Sequence, residues 1–234
     1  MIDKIKTGVS VVIPAYNEEE NVYQTINLVL DVMTRDFEDF EIIIIDDNST
    51  DKTGQILDNL ALANKRISVI HNKYNLGQGG SLAVGFANVS KEFAIHNAMD
   101  YPFDMSDLSK MMRLTDKCDI VVASRTSRPG YSVYRHILSR VNIFILNMLF
   151  DLHLSDYSFV QLYRSNIVRK INPNARSTGF FIPEILIRAL IMGYRIIQIP
   201  TKYLPRNKGI ARSGSFKVVF SSLVDLINFW RKNT

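Results

Sequence analysis

Carboxylates and glycines recur in this sequence at the points where apolar segments end. The pair Asp46–Asp47 follows four consecutive isoleucines, and Asp100 follows the fourth apolar segment. Pro14–Glu19 follows the first such segment, and the glycine-rich stretch Asn75–Gly80 follows the third. A carboxylate at the edge of an apolar core must be solvated, cap a turn or meet a ligand, and glycines that open a helix let backbone N–H groups approach an anion. The pattern predicts a site for an anionic ligand, with helix capping by Asp47 as the competing explanation.

The apolar segments that carry these residues alternate with segments of helical period. Short apolar runs predict buried strands, which we place at Val9–Pro14, Glu41–Asp46, Ile67–His71 and Phe93–His96. Helical spacing predicts helices at Asn21–Thr34, around Ile56–Leu60 with a cap at Ser49 or Thr50, and at Gly80–Val89. This order predicts a doubly wound parallel α/β sheet with right-handed crossovers. Ligands bind such sheets at the carboxyl ends of the strands, so we expect the carboxylates and glycines to share one rim.

The second half of the chain is predicted to be more helical. We place helices at Ser106–Leu114, Ile137–Phe150, Ile182–Met192 and Phe216–Trp230, and strands at Asp119–Ala123 and Arg195–Pro200. The last helix carries one apolar stripe, made of Phe216, Val219, Phe220, Leu223, Ile227 and Trp230. A core-facing stripe is the favoured interpretation, with a membrane-surface or dimer face as the alternative. No repeat or linker interrupts the pattern, so we predict one domain over residues 1–234.

Composition narrows the compartment and the kinds of site. The single cysteine, Cys118, excludes an internal disulfide and stands in an apolar run typical of a buried position. The histidines have no metal-ligand spacing and are predicted to be structural. They are His71, His96, His136 and His153. Because the sequence shows no signal-peptide pattern and no segment near the ~20 apolar residues that span a bilayer, we expect a cytoplasmic protein.

Basic residues are concentrated in the second half. The formal net charge is +5, and residues 201–234 carry seven basic residues against one acid. A second cluster comprises Arg125, Arg128, Arg135 and Arg140. Basic surfaces attract phosphates on a nucleotide, a lipid headgroup or a nucleic acid. A nucleic-acid ligand is disfavoured because the chain lacks interleaved aromatic and basic residues and any recognition motif.

The opening motifs, taken together, resemble a known enzyme family. Val9–Asn21, Glu41–Thr53 and Asn75–Gly80 closely resemble the family-2 glycosyltransferases with the GT-A fold, and Ala123–Arg125 resembles that family's strand-end arginine. Later motifs resemble the dolichyl-phosphate mannosyltransferase branch. They are Arg135 with Ser139, Ser155–Ser158 with Gln161–Arg164, and Gly193–Ile196 with Ile199–Pro200 and Arg206. The resemblance covers nearly the whole chain and implies a Rossmann-like sheet with a nucleotide-binding half (1–115) and an acceptor half (116–234).

The resemblance also implies a division of labour among residues. A nucleoside-diphosphate sugar would meet Pro14, Tyr16, Glu18, Asp46, Asp47, Gly77, Gly79 and Asp100. Catalytic roles would fall to Asp100, Asp156, Arg125 and Arg135. An acceptor phosphate would meet Arg135, Ser139, Arg206 and Arg212. Asp100 would belong to the metal-binding Asp-x-Asp motif and hold Mg²⁺ or Mn²⁺ against the diphosphate, since hard divalent cations prefer oxygen ligands.

The chain departs from the family pattern around the metal motif. Ala98 stands where the first Asp of Asp-x-Asp is found, and Pro102 replaces a Gln two residues past the motif. The metal site would therefore use Asp100 alone or recruit Asp104, with weak or absent metal binding as the alternative. The segment at Asp156 is one residue shorter than in the family.

The predicted reaction is a single in-line displacement at the anomeric carbon of the sugar, with inversion. A polyprenyl-phosphate acceptor would need no general base because its oxyanion is already a nucleophile, whereas a glycan hydroxyl would need Asp156 to take its proton. The pair of Arg135 and Ser139 and the basic C-terminal region favour the lipid phosphate. A membrane surface, met at its inner face, is then a candidate partner. The alternatives are transfer to a glycan hydroxyl and a non-catalytic sugar-nucleotide-binding protein, the latter suggested by Ala98.

Overall fold

The computed structural model describes residues 3–150, 153–171, 173, 175, 177, 179–204 and 216–233. Its strands are β1 (Val9–Ala15), β2 (Phe40–Asp46), β3 (Ile67–His71), β4 (Phe93–His96), β5 (Ile120–Arg125), β6 (Val160–Arg164) and β7 (Ile196–Thr201). Its helices are α1 (Val22–Asp36), α2 (Thr53–Ala63), α3 (Gly77–Ala87), α4 (Leu108–Met112), α5 (Val133–Phe150), α6 (Ser165–Lys170), α7 (Phe181–Ile191) and α8 (Phe216–Asn233). A 3₁₀ turn over Met105–Asp107 precedes α4.

All seven strands form one sheet, in the order β3-β2-β1-β4-β6-β5-β7. Only β6 runs against its neighbours; the pairings of β1 with β2 and β4, of β2 with β3, and of β5 with β7 are parallel. The predicted mostly parallel, doubly wound sheet is thus confirmed. The strand order reverses between β1 and β4, and ligands bind such sheets in the crevice at this point.

The tetra-isoleucine run forms the middle of the sheet because both of its faces are buried. Ile42 and Ile44 pack into one apolar core and Ile43 and Ile45 into the other, and none is more than 2% exposed. Burying each side chain contributes about 1.5–3 kcal/mol. A strand buried on both faces reads as a continuous apolar run, which is why this segment was predictable.

Two elements of the acceptor half escape prediction from the sequence. Strand β6 carries Gln161 as its second residue, so its apolar pattern is interrupted. The side chain is fully buried, and its polar atoms are satisfied locally, since Nε2 donates to the Tyr157 carbonyl and Oε1 accepts from the Tyr163 hydroxyl. The short α6 follows at once, and no capping residue marks its start.

Four predicted helix starts are wrong in detail. Helix α3 begins at Gly77 and not at Gly80, and α5 begins at Val133 and not at Ile137. Helix α2 begins at Thr53, and its N-cap residue is Lys52, which makes no side-chain capping hydrogen bond. The Thr53 N–H donates to Asp51 Oδ1 at 2.9 Å, and neither Ser49 nor Thr50 caps the helix. The predicted helix Ser106–Leu114 is instead the 3₁₀ turn followed by the short α4. Asp104 starts that turn, because its Oδ1 accepts the N–H of Ser106 at 2.9 Å.

The last helix, α8, packs through residues other than the predicted stripe. Leu226 and Phe229 are buried, and the Phe229 ring contacts those of Phe150 and Phe180. The core-facing interpretation of the stripe is wrong, because most of its members are exposed. Their exposed fractions are 61% for Phe220, 44% for Leu223, 48% for Ile227 and 41% for Trp230. None of the described helices combines the length and the apolar character needed to cross a membrane.

Candidate active site

A cleft of about 1280 Å³ opens along the carboxyl ends of the strands and continues between α5 and α8. It receives side chains from both halves of the chain. The predicted site residues that line it are Pro14, Tyr16, Glu18, Asp47, Gly77, Gly79, Asp100, Arg125, Arg135 and Ser139. Arg206 and Arg212 lie outside the described residues. The predicted shared rim is therefore present for all of the described candidates except Asp46, Asp104 and Asp156.

The backbone is unusual just after the three strands that end at the nucleotide side of the cleft. Asn17, Asn48 and Tyr101 have positive φ values of 53°, 61° and 51°, and no other described non-glycine residue does. They follow β1, β2 and β4, and such conformations cluster at functional sites because the surrounding structure must enforce them. The loops after β1 and β2 are fixed to each other by two hydrogen bonds. The Asn17 N–H donates to Ser49 Oγ at 3.0 Å, and Asn17 Oδ1 accepts the Thr50 N–H at 2.8 Å.

Asp47 fixes the glycine-rich start of α3. Its Oδ1 accepts the N–H of Leu76 and its Oδ2 accepts the N–H of Gly77, both at 2.8 Å. Asn72 donates to the same Oδ1 at 2.8 Å. The amide of Gly77, which the sequence offered to an external anion, is therefore already engaged by an internal carboxylate. Asp47 still lines the cleft, so capping and ligand contact are not exclusive here.

Asp46 stands behind the cleft wall and supports the loop between β2 and α2. It is 5% exposed and is not among the residues that line the cleft. Its Oδ1 accepts the N–H of Ser49 at 3.1 Å, and its Oδ2 lies 2.8 Å from His71 Nδ1. His71 Nε2 in turn lies 2.9 Å from Asp58 Oδ1. The hydrogen bonds that the His71 ring makes to Asp46, first, and to Asp58 raise the pKa of His71.

Asp156 is buried beneath the acceptor half of the cleft and is shared by two arginines. Arg125 binds it through both a 2.6 Å contact (Nε to Oδ2) and a 2.8 Å contact (Nη2 to Oδ1). Arg128 Nη2 reaches Oδ2 at 3.2 Å, and Arg128 Nη1 donates to Ser139 Oγ at 2.6 Å. Burial alone would raise the pKa of Asp156, but the hydrogen bonds and charge of Arg125, with the charge of Arg128, outweigh it and lower that pKa. The carboxylate is therefore held ionised and occupied.

We call Arg125, Arg128 and Arg135 the arginine cluster. Arg125 Nη1 donates to the Tyr131 hydroxyl at 2.9 Å, and the Arg135 guanidinium lies 4.1 Å from the centre of the Tyr131 ring. Arg125 and Arg128 share the one carboxylate of Asp156. Arg125 and Arg135 line the cleft, whereas Asp156 does not. The cluster thus presents positive charge to a ligand while its carboxylate is turned inward.

The walls of the acceptor half are mostly apolar beyond the arginine cluster. The apolar side chains include Leu138, Val141, Ile145, Phe180, Phe181, Ile182, Val219, Leu223 and Leu226, and the polar side chains among them are Ser139, Asn142, Ser158 and Ser222. Among the described lining residues after position 115, none is acidic. All of the described acidic residues that line the cleft belong to the nucleotide half, namely Glu18, Glu19, Glu20, Asp47, Asp51 and Asp100.

Of the two predicted metal ligands, Asp100 and Asp104, only Asp100 lines the cleft. Asp100 and Ala98 both line it, whereas Asp104 does not and uses its Oδ1 to start the 3₁₀ turn. Within the described part of the chain, no three or more histidine, cysteine or acidic side chains converge as a metal site would require. Mg²⁺ is commonly held by one or two carboxylates together with substrate phosphates and water. The donor set fits a cation whose coordination is completed by a bound diphosphate, and it leaves Asp104 out.

Two aromatic residues that the sequence did not single out also line the cleft. Tyr131 and Tyr203 place their rings against Arg125. Arg128, which does not line the cleft, joins Asp156 to Ser139 behind it. His96, predicted to be structural, lies at the end of β4 on the cleft wall. The basic cluster was visible in the sequence, but the aromatic rings that hold it and the position of His96 depend on pairings between distant strands.

Comparison with known proteins agrees with this architecture. Residues 10–175 match the family model described as Glycosyl transferase family 2. Two relatives, each named undecaprenyl-phosphate 4-deoxy-4-formamido-L-arabinose transferase, are 27% identical to this chain over 94% of its length. One is from Edwardsiella ictaluri and the other from Photorhabdus laumondii subsp. laumondii, and the chain spans 66% of each.

A solved structure shows the same fold. Glucosyl-3-phosphoglycerate synthase from Mycobacterium tuberculosis, in complex with Mn²⁺, UDP-glucose and phosphoglyceric acid, superposes with a TM-score of 0.71 at 18% identity. The match covers 96% of this chain and 80% of that one. At this identity the likeness concerns the fold alone. The family match, which covers most of the chain, shows that this chain belongs to the family-2 glycosyltransferases.

Proposed function

We propose that this chain transfers a sugar from a nucleoside-diphosphate sugar to a polyprenyl phosphate, with inversion at the anomeric carbon. The observation that carries the proposal is the character of the acceptor half of the cleft. It offers an arginine cluster and apolar walls, and none of its described lining residues is acidic. The names of the two undecaprenyl-phosphate sugar transferases that it resembles point in the same direction.

The donor would bind in the nucleotide half. Tyr16 and Pro14 offer an apolar surface for a base, and Glu18 and Asp47 offer carboxylates for ribose hydroxyls. The loops that carry these residues are already fixed to each other, as described above, so little order would have to be imposed on binding. Asp100 would hold a divalent cation, Mg²⁺ or Mn²⁺, which when bound supplies a Lewis acid for the diphosphate. The solved relative contains Mn²⁺ together with UDP-glucose, which supports this arrangement.

The acceptor phosphate would bind at the arginine cluster. Guanidinium groups bind phosphate oxygens through paired hydrogen bonds, and Arg125 and Arg135 present theirs to the cleft. Arg125 is oriented by Asp156, whose carboxylate also holds Arg128 against Ser139. Asp156 is therefore proposed as a positioning residue and no longer as a catalytic base.

The chemical step then needs no proton transfer. A phosphate oxygen of the acceptor attacks the anomeric carbon, and the bond from that carbon to the donor diphosphate oxygen breaks. The nucleoside diphosphate leaves with the electron pair, and the acceptor phosphate becomes a phosphodiester. Fixed positive charge close to the departing diphosphate would stabilise the charge that grows there, which is usually the largest catalytic contribution.

A glycan hydroxyl would be a poorer acceptor in this cleft. Its proton must pass to a base in the transition state. The predicted base, Asp156, is 1% exposed and fully engaged with two arginines. Releasing it would leave charges buried and unpaired, which is costly.

The helices that flank the acceptor half would rest on a membrane surface. Exposed apolar side chains form a face on α5 (Val133, Ile137, Val141, Phe144 and Met148) and another on α8 (Phe220, Leu223, Val224, Ile227 and Trp230). Val141 and Leu223 also line the cleft, so both faces reach its mouth. Exposed Arg140, Arg231 and Lys232 lie on the same helices, as expected of helices that bind anionic lipid interfaces. A lipid acceptor could then enter the cleft from the bilayer.

The experiment that tests the proposal is a transfer assay with matched acceptors. A panel of UDP-, GDP-, dTDP- and ADP-linked hexoses is offered with an undecaprenyl phosphate, with undecaprenol and with a soluble oligosaccharide, in detergent micelles with and without Mn²⁺. We expect label to move only to the phosphate. Transfer to undecaprenol or to the oligosaccharide would replace this proposal with hydroxyl glycosylation, and donor binding without transfer to any acceptor would favour a non-catalytic sugar-nucleotide-binding protein.

A further inference from the structure

Tyr131 contacts both of the arginines that line the cleft, and the proposed reaction gives it no role. Its hydroxyl oxygen accepts a hydrogen bond from Arg125 Nη1 at 2.9 Å. The guanidinium carbon of Arg135 lies over its ring, 4.1 Å from the ring centre, and that of Arg125 lies 5.9 Å from the same centre. Like charges at such separations repel each other. Tyr131 offsets this repulsion through a charge-assisted hydrogen bond to one cation and a cation–π contact with the other.

A tight turn brings Tyr131 to this position. Residues 128–131 read Arg-Pro-Gly-Tyr; Gly130 has a φ of 79°, and the Tyr131 N–H donates to the Arg128 carbonyl oxygen at 3.3 Å. Proline at the second position and a glycine with positive φ at the third are typical of a type II β-turn. Helix α5 follows the turn and carries Arg135 over the ring. The short segment thus places the aromatic ring and one of its cations together.

The ring of Tyr131 is packed by neighbouring rings as well. Tyr203 packs edge-on against it with ring centres 5.9 Å apart, and the His136 ring lies 5.6 Å away. Arg125 keeps both of its bonds to the Asp156 carboxylate if the Tyr131 hydroxyl is removed. The ring should therefore matter more than the hydroxyl. An arginine that is held in place before its ligand arrives loses less side-chain entropy on binding.

We propose that Tyr131 is a positioning residue that holds Arg125 and Arg135 in the arrangement in which both bind the acceptor phosphate. The inference rests on the proposed function and deepens it by naming the side chain that sets the geometry of the phosphate site. Paired hydrogen bonds from guanidinium to phosphate need a defined orientation of each guanidinium. The side-chain hydrogen bond and the ring contacts of Tyr131 all go to residues of the acceptor half, so its removal should spare the donor site.

Calorimetric titration with farnesyl phosphate, a short lipid phosphate, tests the role of Tyr131 in binding. Wild type, Tyr131→Phe and Tyr131→Leu are titrated with this ligand, with farnesol, and with the nucleoside diphosphate that binds wild type most tightly. We expect Tyr131→Leu to weaken farnesyl phosphate about tenfold, because a cation–π contact and a hydrogen bond are lost. Tyr131→Phe keeps the ring and should weaken it only about threefold. Affinity for the nucleoside diphosphate should stay unchanged, and farnesol should not distinguish the three proteins.

Tyr23→Leu is the matched control, since Tyr23 is 52% exposed on α1 and does not line the cleft. It should change none of these affinities. Melting temperatures show whether each variant folds. Tyr131→Phe, which lacks a single oxygen, carries the test if Tyr131→Leu does not fold, and an unchanged affinity of Tyr131→Phe for farnesyl phosphate would then overturn the inference.

The same substitutions in an Arg135→Ala background separate positioning from a general loss of structure. Because the ring acts through Arg135, Tyr131→Phe and Tyr131→Leu should bind farnesyl phosphate equally once that arginine is absent, although they differ about threefold in its presence. A difference that persisted in this background would overturn the inference. So would equal losses of affinity for farnesyl phosphate and for the nucleoside diphosphate in Tyr131→Leu.

The proposed function is judged by a separate outcome. A wild type that binds farnesyl phosphate with these dependences, yet transfers sugar only to hydroxyl acceptors, would overturn the proposed function and leave Tyr131 as the residue that positions the phosphate-binding arginines. A wild type that binds nucleoside diphosphates but no farnesyl phosphate would overturn both.

Discussion

The environment of Asp156 makes a prediction that separates a positioning carboxylate from a catalytic base. Replacing Asp156 with Asn removes one of the two oxygens that Arg125 binds at 2.6 and 2.8 Å and that Arg128 approaches at 3.2 Å. All three side chains are nearly buried, with exposed side-chain fractions of 2%, 8% and 11%. Breaking a buried ion pair on one side costs about 3–5 kcal/mol. We expect about 3 kcal/mol, since the Asn oxygen still accepts from one arginine.

The direction of the Asp156 pKa shift determines how this loss of stability varies with pH. The pKa of Asp156 is lowered in the folded protein, so its contribution to stability is present above the unfolded value of about 3.9 and is lost as pH falls through the folded value. The difference in the free energy of unfolding between wild type and Asp156→Asn should therefore be constant from pH 8 to pH 5 and shrink only below that. Urea unfolding at a series of pH values measures it.

A surface carboxylate supplies the control. Asp39 pairs with Lys91 at 2.6 Å, but its side chain is 53% exposed, so Asp39→Asn should cost no more than about 1 kcal/mol. A carboxylate that acts as a base near neutral pH would give a different pH dependence of stability. If the difference for Asp156→Asn instead grew as pH fell from 8 to 6, the carboxylate would have a raised pKa in the folded protein, and the reasoning that denies it the role of base would be refuted.

Four further predictions concern the donor, the acceptor, the loop and the membrane. Asp100→Asn should abolish Mn²⁺-dependent transfer and leave the melting temperature nearly unchanged, as transfer assays and thermal melts would show. Arg135→Ala should raise the acceptor KM at least tenfold and the donor KM much less, which steady-state kinetics measures. His71 has a raised pKa, so its stabilising contact is present below about pH 6.5 and is lost as pH rises through the folded value; the melting difference between wild type and His71→Gln should shrink on that rise. Ile137→Asp combined with Phe220→Asp should abolish flotation with anionic vesicles.

Each of these predictions has an outcome that contradicts it. Unaltered activity in Asp100→Asn would move the cation elsewhere or remove it from the reaction. Equal changes in both KM values for Arg135→Ala would argue against a phosphate acceptor. A melting difference for His71→Gln that does not vary with pH would show that the ring bonds in its neutral form. For vesicle flotation, Leu62→Asp is the matched control, since Leu62 is 86% exposed on α2. If Leu62→Asp abolished flotation as well, vesicle binding would not depend on the apolar faces of α5 and α8.

The sequence predicted the carboxyl ends of the strands well, because the position of a buried strand depends on the residues of that strand alone. A strand buried on both faces needs a continuous apolar run, and its carboxyl end can then be placed to within a residue, as with β2 and Asp46. What it could not decide is where each side chain at that end points. Asp46 and Asp47 are neighbours in the chain, yet Asp46 turns behind the wall toward His71 while Asp47 faces the cleft and caps α3.

The acceptor half was less predictable because its causes lie far apart in the chain. Asp156 looked like a base until strand pairing placed Arg125 and Arg128 on its two oxygens. The stripe on α8 has the period of a core helix, and periodicity alone cannot say whether its apolar face meets protein or another apolar phase. The structure packs Leu226 and Phe229 instead and leaves Phe220 exposed.

The central claim is that a phosphate oxygen of a lipid acceptor is the nucleophile, and the linkage in the product tests it most directly. Phosphorus-31 NMR of the product made from undecaprenyl phosphate should show a phosphodiester, and proton coupling at the anomeric centre should show a configuration opposite to that of the donor. An acceptor phosphorus that remains a monoester while sugar is transferred, or an anomeric configuration that is retained, would contradict the account.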